Sequence, residues 1–281
     1  MGSERALRRS GADGATPPHL SPTAISALQQ RLLAWYAGNG RDLPWRHTTD
    51  PYAILVSEVM LQQTQVSRVV GRYESFLGRF PTLISLAQAP LADVLRIWLG
   101  LGYNNRAVRL KRCAELVGER LPTSVGELER LPGLGPYTAR ALLVFAHNAD
   151  LAAVDANVRR VLVHELDLPP GLPPRGLQTV ADSVLPAGRS RDWHNALMDY
   201  GALVLTSRAT GLAPLSRQTP FEGSRRQLRA RLLRYVVERD GAGLDELTKL
   251  LAIDRATVSG LVADLVRDGL LVADGDRART P

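Results

Sequence analysis

From Pro22 to about Arg208, apolar residues recur three and four positions apart, the period of helices that each bury one face. Breaks at Pro51, Pro81, Pro90, Pro122 and Pro132 divide this stretch into successive helices, and no alternating strand-type run interrupts it. The pattern predicts an all-α domain over residues 21–205, folded as two lobes with a cleft between them. Residues 165–175, rich in proline, read as a connection between the lobes. No repeat of solenoid period is present.

The flanks differ in pattern. Residues 1–20 mix Gly, Ser, Arg and Pro without periodicity and predict a disordered arm. After a loop over 206–223, the stretch Ser224 to Arg239 predicts a basic amphipathic helix carrying six arginines and one glutamate. Its apolar stripe is Leu228, Leu232, Leu233, Val236 and Val237. Helices over Leu244–Ala252 and Asp254–Asp268 follow, then an apolar pair and a turn up to Asp276. This order fits a winged-helix module over 224–276 with a tail at 277–281, and equally a small three-helix bundle.

Length and charge narrow the class. A chain of 281 residues with one cysteine, Cys113, has no internal disulfide and no cysteine-based metal site. A net charge of +7 and a pI near 10.0 suit a polyanionic partner, and also favour solubility in general. Lys111 and Lys249 are the only lysines, which limits the supply of amine nucleophiles. No stretch has the length of a membrane span and no signal-peptide core is visible, so the expectation is a cytoplasmic, nucleoid-associated bacterial monomer.

Two motifs carry chemistry. Leu131-Pro132-Gly133-Leu134-Gly135 allows a tight hairpin whose backbone amides approach phosphates closely, and Asp155 follows twenty positions after Gly135. Taken singly, the glycines are also an ordinary helix cap and Asp155 an ordinary N-cap. Upstream, Glu58 sits among Val56, Val59, Met60 and Leu61 within Ile54–Val66. A carboxyl desolvated there would hold its proton near neutral pH and serve as a general acid; the alternative is a helix-face glutamate turned to solvent. Gln62, Gln63 and Thr64 follow, with hydrogen-bonding groups suited to base edges.

The chain resembles the MutY family of adenine DNA glycosylases in the helix-hairpin-helix superfamily. The matching stretches are Leu43–Arg46 with Asp50–Tyr52, Ser57–Val66, Gly100–Tyr103, Leu131–Thr138, Val154–Leu162 and Ala196–Ala202, in order over roughly residues 25–205. The resemblance implies that Glu58 protonates the adenine leaving group and that Asp155 stabilises the cationic sugar. Physical chemistry needs both: adenine leaves poorly until protonated, and an oxocarbenium-like sugar needs a nearby carboxylate. Tyr137 stands where relatives similar to endonuclease III carry a lysine, which implies a supporting catalytic role and no efficient strand cleavage; the alternative is a tyrosine packing the hairpin. The target nucleotide must leave the stack, with Tyr103 and Gln62 filling the gap; Tyr103 alone also reads as a cap on the helix from Ala107. Trp45, Arg46, Gln63 and Asn195 are the expected base pocket, and Gly133, Leu134, Gly135, Thr138 and Asn157 the further DNA contacts. The implied partner is double-stranded DNA with a mismatch or lesion, without a membrane.

Three departures temper the resemblance. Most relatives hold an iron-sulfur cluster on four cysteines, whose spacing falls here on Leu205, Leu212, Leu215 and Phe221. The expectation is therefore no cofactor, an apolar plug in place of the cluster, and at most a monovalent cation at the hairpin carbonyls. The long C-terminal domain that similar enzymes use to recognise 8-oxoguanine is replaced by a short module. Asn104 and Asn105 follow Tyr103, and Ala156 follows Asp155, where the family often has an aromatic and a glycine. A thymine or uracil mismatch glycosylase and a non-catalytic damage-binding protein are the alternative functions.

Overall fold

A computed structural model describes residues 21–212 and 220–281; the arm over 1–20 and Leu215 lie outside the described residues. Ser21 opens α1 (Pro22–Asn39) by accepting the Ala24 amide, with Pro22 pre-set for a first helical position. Asp50 does the same for α2 (Pro51–Leu61), accepting the amides of Tyr52 and Ala53. Pro51 thus starts a helix. The chain continues through α3 (Val66–Arg79), α4 (Leu83–Gln88), α5 (Leu91–Trp98), α6 (Asn105–Val117), α7 (Val125–Leu128) and α8 (Pro136–His147). Next come α9 (Ala156–Glu165), α10 (Pro174–Ser183), α11 (Ser190–Leu203) and α12 (Ser207–Thr210). It ends with α13 (Arg225–Arg239), β1 (Ala242–Gly243), α14 (Leu244–Leu251), α15 (Arg255–Arg267), β2 (Val272–Asp274) and β3 (Arg277–Arg279).

These elements form two compact units. The first takes the described residues of Met1–Arg41 and Asp150–Leu215. There α11 packs on α1 and α9, around a core that includes Leu32, Val161, Leu162, Val180, Trp193 and Leu197. Gly201 permits the close contact, since a Cβ added to it would lie 2.9 Å from Asn157 Cβ and 3.0 Å from the Asn157 carbonyl oxygen. Asp199 of α11, fully buried, accepts the backbone amide and the guanidinium Nε of Arg41, each at 2.7 Å.

The second unit takes Asp42–Ala149 and the described residues of Ser216–Pro281. Its centre is α2, where every residue from Tyr52 to Met60 is buried, packed on α3 and α8. The C-terminal module belongs to this unit: α13 packs on α5, and Arg96 pairs with Asp240. Its three strands make an antiparallel sheet in the order β1-β3-β2, with Ala242 paired to Ala278. The sheet accompanies the helices α13, α14 and α15 of the module. It also corrects the boundary drawn after Asp276, because β3 is the central strand and Ala278 is fully buried. Three residues, Arg-Ala-Arg, are too short a run for alternation to show in sequence. Among the described residues, no helix is long and apolar enough to cross a membrane.

Candidate active site and nucleic-acid interface

Glu58 is buried, with 8% of its surface exposed, so the solvent-facing reading does not hold. The polypeptide achieves this by making α2 apolar on all sides. The turn Pro44–Arg46 packs against α2, bringing Trp45 and Arg46 to the helix that carries Glu58. Trp45 meets Tyr73 edge-on, with ring centroids 5.5 Å apart, which fixes the indole.

α2 stops at Leu61, so Gln62, Gln63 and Thr64 lie on a loop rather than a helical turn further on. Arg106 of α6, a residue that sequence reasoning passed over, caps this end. Its buried guanidinium donates to the carbonyls of Val59 at 2.8 Å, Met60 at 2.9 Å and Gln62, all at the α2 C-terminus. The same group donates to Thr64 Oγ1 at 3.0 Å, to the Leu101 carbonyl at 3.4 Å and to the Gly102 carbonyl at 2.9 Å; its Nε reaches the Tyr103 carbonyl at 3.3 Å. Burial lowers the Arg106 pKa to about 10, which leaves it cationic at neutral pH. α6 carries three arginines and a lysine, so nothing in the sequence singles Arg106 out. One cation thereby ties together the two loops that carry the expected DNA-filling residues.

Both loops hold strained backbone. Gln63 has φ +58° and Tyr103 φ +47°, a left-handed region costly for side chains of this size. Tyr103 remains 42% exposed, so the strain serves an aromatic ring presented to solvent. It precedes α6, and Asn104 takes the capping position there without a side-chain cap bond.

The hairpin joins α7 to α8. Gly133 needs its glycine twice over: φ is +85°, and a Cβ would lie 3.1 Å from Arg109 Cβ. Gly135 has ordinary backbone and open space around it. Leu134 and Thr138, expected as DNA contacts, are buried, and the Leu134 amide donates to the Leu131 carbonyl. Their side chains pack within the hairpin. Gln62 Nε2 donates to Thr138 Oγ1 at 3.3 Å and to the Gly133 carbonyl at 3.4 Å. Tyr137 sits in the first turn of α8, half-buried, where backbone amides lie outside the helical ladder.

Asp155 belongs to the first unit and is both an N-cap and more than one. It accepts the Val158 amide at 2.6 Å and so opens α9. Burial raises its pKa above the ordinary carboxylate value, while the Val158 amide, Asn157 and the Arg160 charge pull it back. Asn157, expected to touch DNA, donates its amide to Asp155 Oδ2 at 2.9 Å and accepts from Arg160 at 2.7 Å. It is a holder of Asp155. Arg160, half-buried, also donates to the carbonyls of Gly201 and Leu205. On the other side His194, buried, accepts the Ala153 amide at 2.9 Å through Nε2, and its Nδ1 lies 2.7 Å from the Ser190 carbonyl. Burial lowers the His194 pKa, and the neutral ring anchors the segment leading into Asp155. Asn195, its neighbour on α11, is buried in the same unit.

Of the positions aligned with cluster cysteines, Leu205 and Leu212 pack in or against the core of the first unit. Phe221 departs from the expected plug: it is 53% exposed and belongs to the second unit. Cys113 is buried in α6, where burial pushes its thiol up to about 11.

Residues 56–168 match the HhH-GPD superfamily of base excision DNA repair proteins. An adenine DNA glycosylase of Mycolicibacterium smegmatis is 40% identical over 236 residues, covering 74% of this chain and 80% of the relative. The chain belongs to the adenine DNA glycosylase branch of the HhH-GPD superfamily. Another such relative, from Mycobacterium tuberculosis, is 36% identical over 297 residues and covers 92% of this HhH-GPD chain and 95% of its own. A thermostable thymine-DNA glycosylase structure superposes with a TM-score of 0.62 at 29% identity, over 67% of this chain and 90% of that one. An endonuclease III–DNA complex, at 17% identity and TM-score 0.59, covers 72% and 91% respectively and shares the HhH-GPD fold.

Proposed function

We propose that this protein is a monofunctional DNA glycosylase that hydrolyses the N-glycosidic bond of adenine mispaired with guanine or 8-oxoguanine. The observation that carries this reading is a buried glutamate, Glu58, on a helix buried from Tyr52 to Met60, in a chain 40% identical to a protein named adenine DNA glycosylase. Glu58 delivers the proton that makes adenine a leaving group, and Asp155 faces the cationic sugar. Tyr137, in the first turn of the hairpin helix, supports the sugar side. Trp45, Arg46, Gln63 and Asn195 hold the extruded base, and Tyr103 and Gln62 fill its place in the duplex. Strand cleavage through an amine is not part of the activity: Lys111 commits its ammonium to the Ala87 carbonyl and Glu115, and Lys249 lies on α14 of the C-terminal module.

The catalytic unit works without an iron-sulfur cluster, since one buried cysteine does not supply four thiolates. Leu205 and Leu212 pack in its place. The likeness to a thymine-DNA glycosylase structure supports a second reading, in which the excised base is thymine or uracil.

Single-turnover assays on end-labelled duplexes test the proposal. Adenine release opposite 8-oxoguanine or guanine is the expected result, with Glu58→Gln binding the same duplex but releasing no base. Thymine or uracil release from G mismatches transfers the reading to the second base class, and release of no base at all refutes it. Iron and sulfide analysis of the purified protein is expected to find neither in stoichiometric amount.

A further inference from the structure

Asp155 stands at the end of a segment, Asp150 to Asp155, that forms neither helix nor strand yet runs partly buried through the first unit. Backbone of this kind has no ladder to bond to, so its polar groups need partners elsewhere. Side chains of α10 and α11 supply several of them. The Ala152 amide donates to Asp182 Oδ1 at 3.3 Å, and the Ala152 carbonyl accepts from Gln178 Nε2 at 2.9 Å. The Ala153 amide donates to His194 Nε2 at 2.9 Å. Asp150 itself accepts from Ser190 Oγ at 2.9 Å and from the Gly188 amide.

These ties differ in what their loss would do. Asp150 and Asp182 are exposed and Gln178 is half-buried, so water can take their place. His194 and Ala153 are both buried, and an Ala153 amide deprived of this acceptor is left unsatisfied. His194 also holds the residue nearest to Asp155 in this set. Its ring is locked in the form that the bond needs. Nδ1 lies 2.7 Å from the Ser190 carbonyl, which only accepts, so Nδ1 carries the hydrogen and Nε2 presents its lone pair to Ala153. Burial disfavours the cation, which would have no such lone pair. Ser190 closes the circuit: its carbonyl holds the ring and its hydroxyl holds Asp150, so α11 grips the segment at both points.

Beyond Ala153 the chain runs through Val154 into Asp155, whose carboxylate is held on its other side by the Val158 amide and Asn157. The α9 bonds fix the carboxylate relative to its own helix. The His194 bond fixes the backbone that enters it.

We propose that His194 is a positioning residue for excision, its Nε2 fixing the Ala153 amide and through it the Asp155 carboxylate that faces the cationic sugar. This inference rests on the DNA-glycosylase reading above. The ring, being buried, acts through Asp155 rather than on DNA.

Two duplexes that lack the target base test it directly. One carries a pyrrolidine nucleotide, whose protonated ring nitrogen imitates the cationic sugar, and the other a neutral tetrahydrofuran nucleotide of similar shape. Dissociation constants for both are measured by fluorescence anisotropy for wild type, His194→Leu, His194→Gln and His194→Asn, alongside single-turnover adenine release and thermal melting. Wild type is expected to bind the cationic duplex roughly tenfold or more tighter than the neutral one. His194→Leu is expected to lose most of that preference and to release adenine roughly 10- to 100-fold more slowly, with affinity for the neutral duplex within about threefold of wild type. Glutamine places an amide oxygen near the Nε2 position and is expected to restore preference and rate to within about threefold. Asparagine is too short to reach Ala153 and is expected to follow leucine, so it carries the comparison if His194→Leu melts below the assay temperature.

A folded leucine or asparagine variant with the wild-type cation preference overturns the proposal, and so does a glutamine variant as impaired as leucine. Slow release with the preference intact assigns His194 to the neighbouring base pocket instead, because neither analogue carries a base, and that too overturns it. A wild type that releases adenine but shows no cation preference overturns the sugar-side role of Asp155 and this inference with it. A wild type that prefers the cation, loses that preference in His194→Leu and releases no adenine keeps the positioning role and loses the proposed base.

Discussion

Asparagine and alanine at position 155 separate a helix cap from a catalytic charge. Asparagine keeps an oxygen for the Val158 amide, now accepted at 2.6 Å, whereas alanine leaves that amide without its cap. Loss of the cap costs about 1 kcal/mol, within a range of roughly 0.5–2. The charge acts in the opposite direction. Burial raises the folded-state pKa of Asp155 above its unfolded value, so the ionised form costs folding free energy. That cost is fully present above the folded pKa and fades as pH falls through it, vanishing below the unfolded value. Each unit of separation between the two values is worth about 1.4 kcal/mol. Asparagine removes the charge and its cost, at the expense of one side-chain bond from Asn157 worth about 1 kcal/mol.

Above the raised pKa, Asp155→Asn should therefore be at least as stable as wild type in urea titration, and Asp155→Ala less stable than Asp155→Asn by the cap. Both variants should lose excision, because removing a preorganised charge from a developing cation costs about 3–4 kcal/mol of barrier, ~10²–10³-fold in rate. The difference between wild type and Asp155→Asn should close as pH is lowered. The reasoning fails if Asp155→Asn is as unstable as Asp155→Ala, if the gap widens toward acid, or if either variant excises at the wild-type rate.

Three further outcomes follow from the same geometry. Arg106→Met strips the Val59 and Met60 carbonyls of their buried donor and should cost about 3–5 kcal/mol in denaturant titration, while Arg106→Lys should recover part of that stability and still bind duplex poorly, since three donors do not reach both loops. Gly201→Ala drives a methyl into Asn157 at 2.9 Å; a loss of about 1–3 kcal/mol and slower single-turnover excision are expected, and wild-type values for both would show that the α9–α11 contact does not position Asp155. His194 has its pKa lowered by burial, so the stability that it contributes is complete above its unfolded value near 6.5 and is lost as pH falls through the folded value; pH-dependent melting should show this acid loss in wild type and its absence in His194→Gln.

The longer helices of the two units were legible from apolar residues three and four apart, and caps such as Ser21, Asp155, Ser224 and Asp254 stand at helix starts in sequence. Pro51, Pro136 and Pro174 each open a helix, since the missing amide is unbonded in a first turn anyway. The strands were less visible, because β1 has two residues and β3 three, and pairing rather than propensity defines them. Within the site, motif residues could be named but their partners could not. Thr138 and Asn157 are expected DNA contacts, and within the fold one accepts from Gln62 and the other donates to Asp155, partners that spacing in the sequence does not show. Arg106 and His194 were invisible for the same reason: each acts on backbone atoms, and backbone atoms leave no signature in side-chain patterns.

Arg106 also explains why strain persists at two positions that glycine would occupy at lower cost. A left-handed non-glycine residue costs on the order of 1–3 kcal/mol, and here Gln63 and Tyr103 both carry that conformation on neighbouring loops. Bonds to charged donors contribute about 1.5–3 kcal/mol each, and the guanidinium reaches the carbonyls of Gln62, Gly102 and Tyr103 beside the strained residues. The magnitudes are comparable, so one buried cation suffices to hold both loops. Glycine at 103 would remove the strain together with the ring, and glycine at 63 would remove an amide from the base pocket proposed above. The backbone is thus held in an unfavourable shape by a donor behind it, so that the side chains in front are aimed before any DNA arrives.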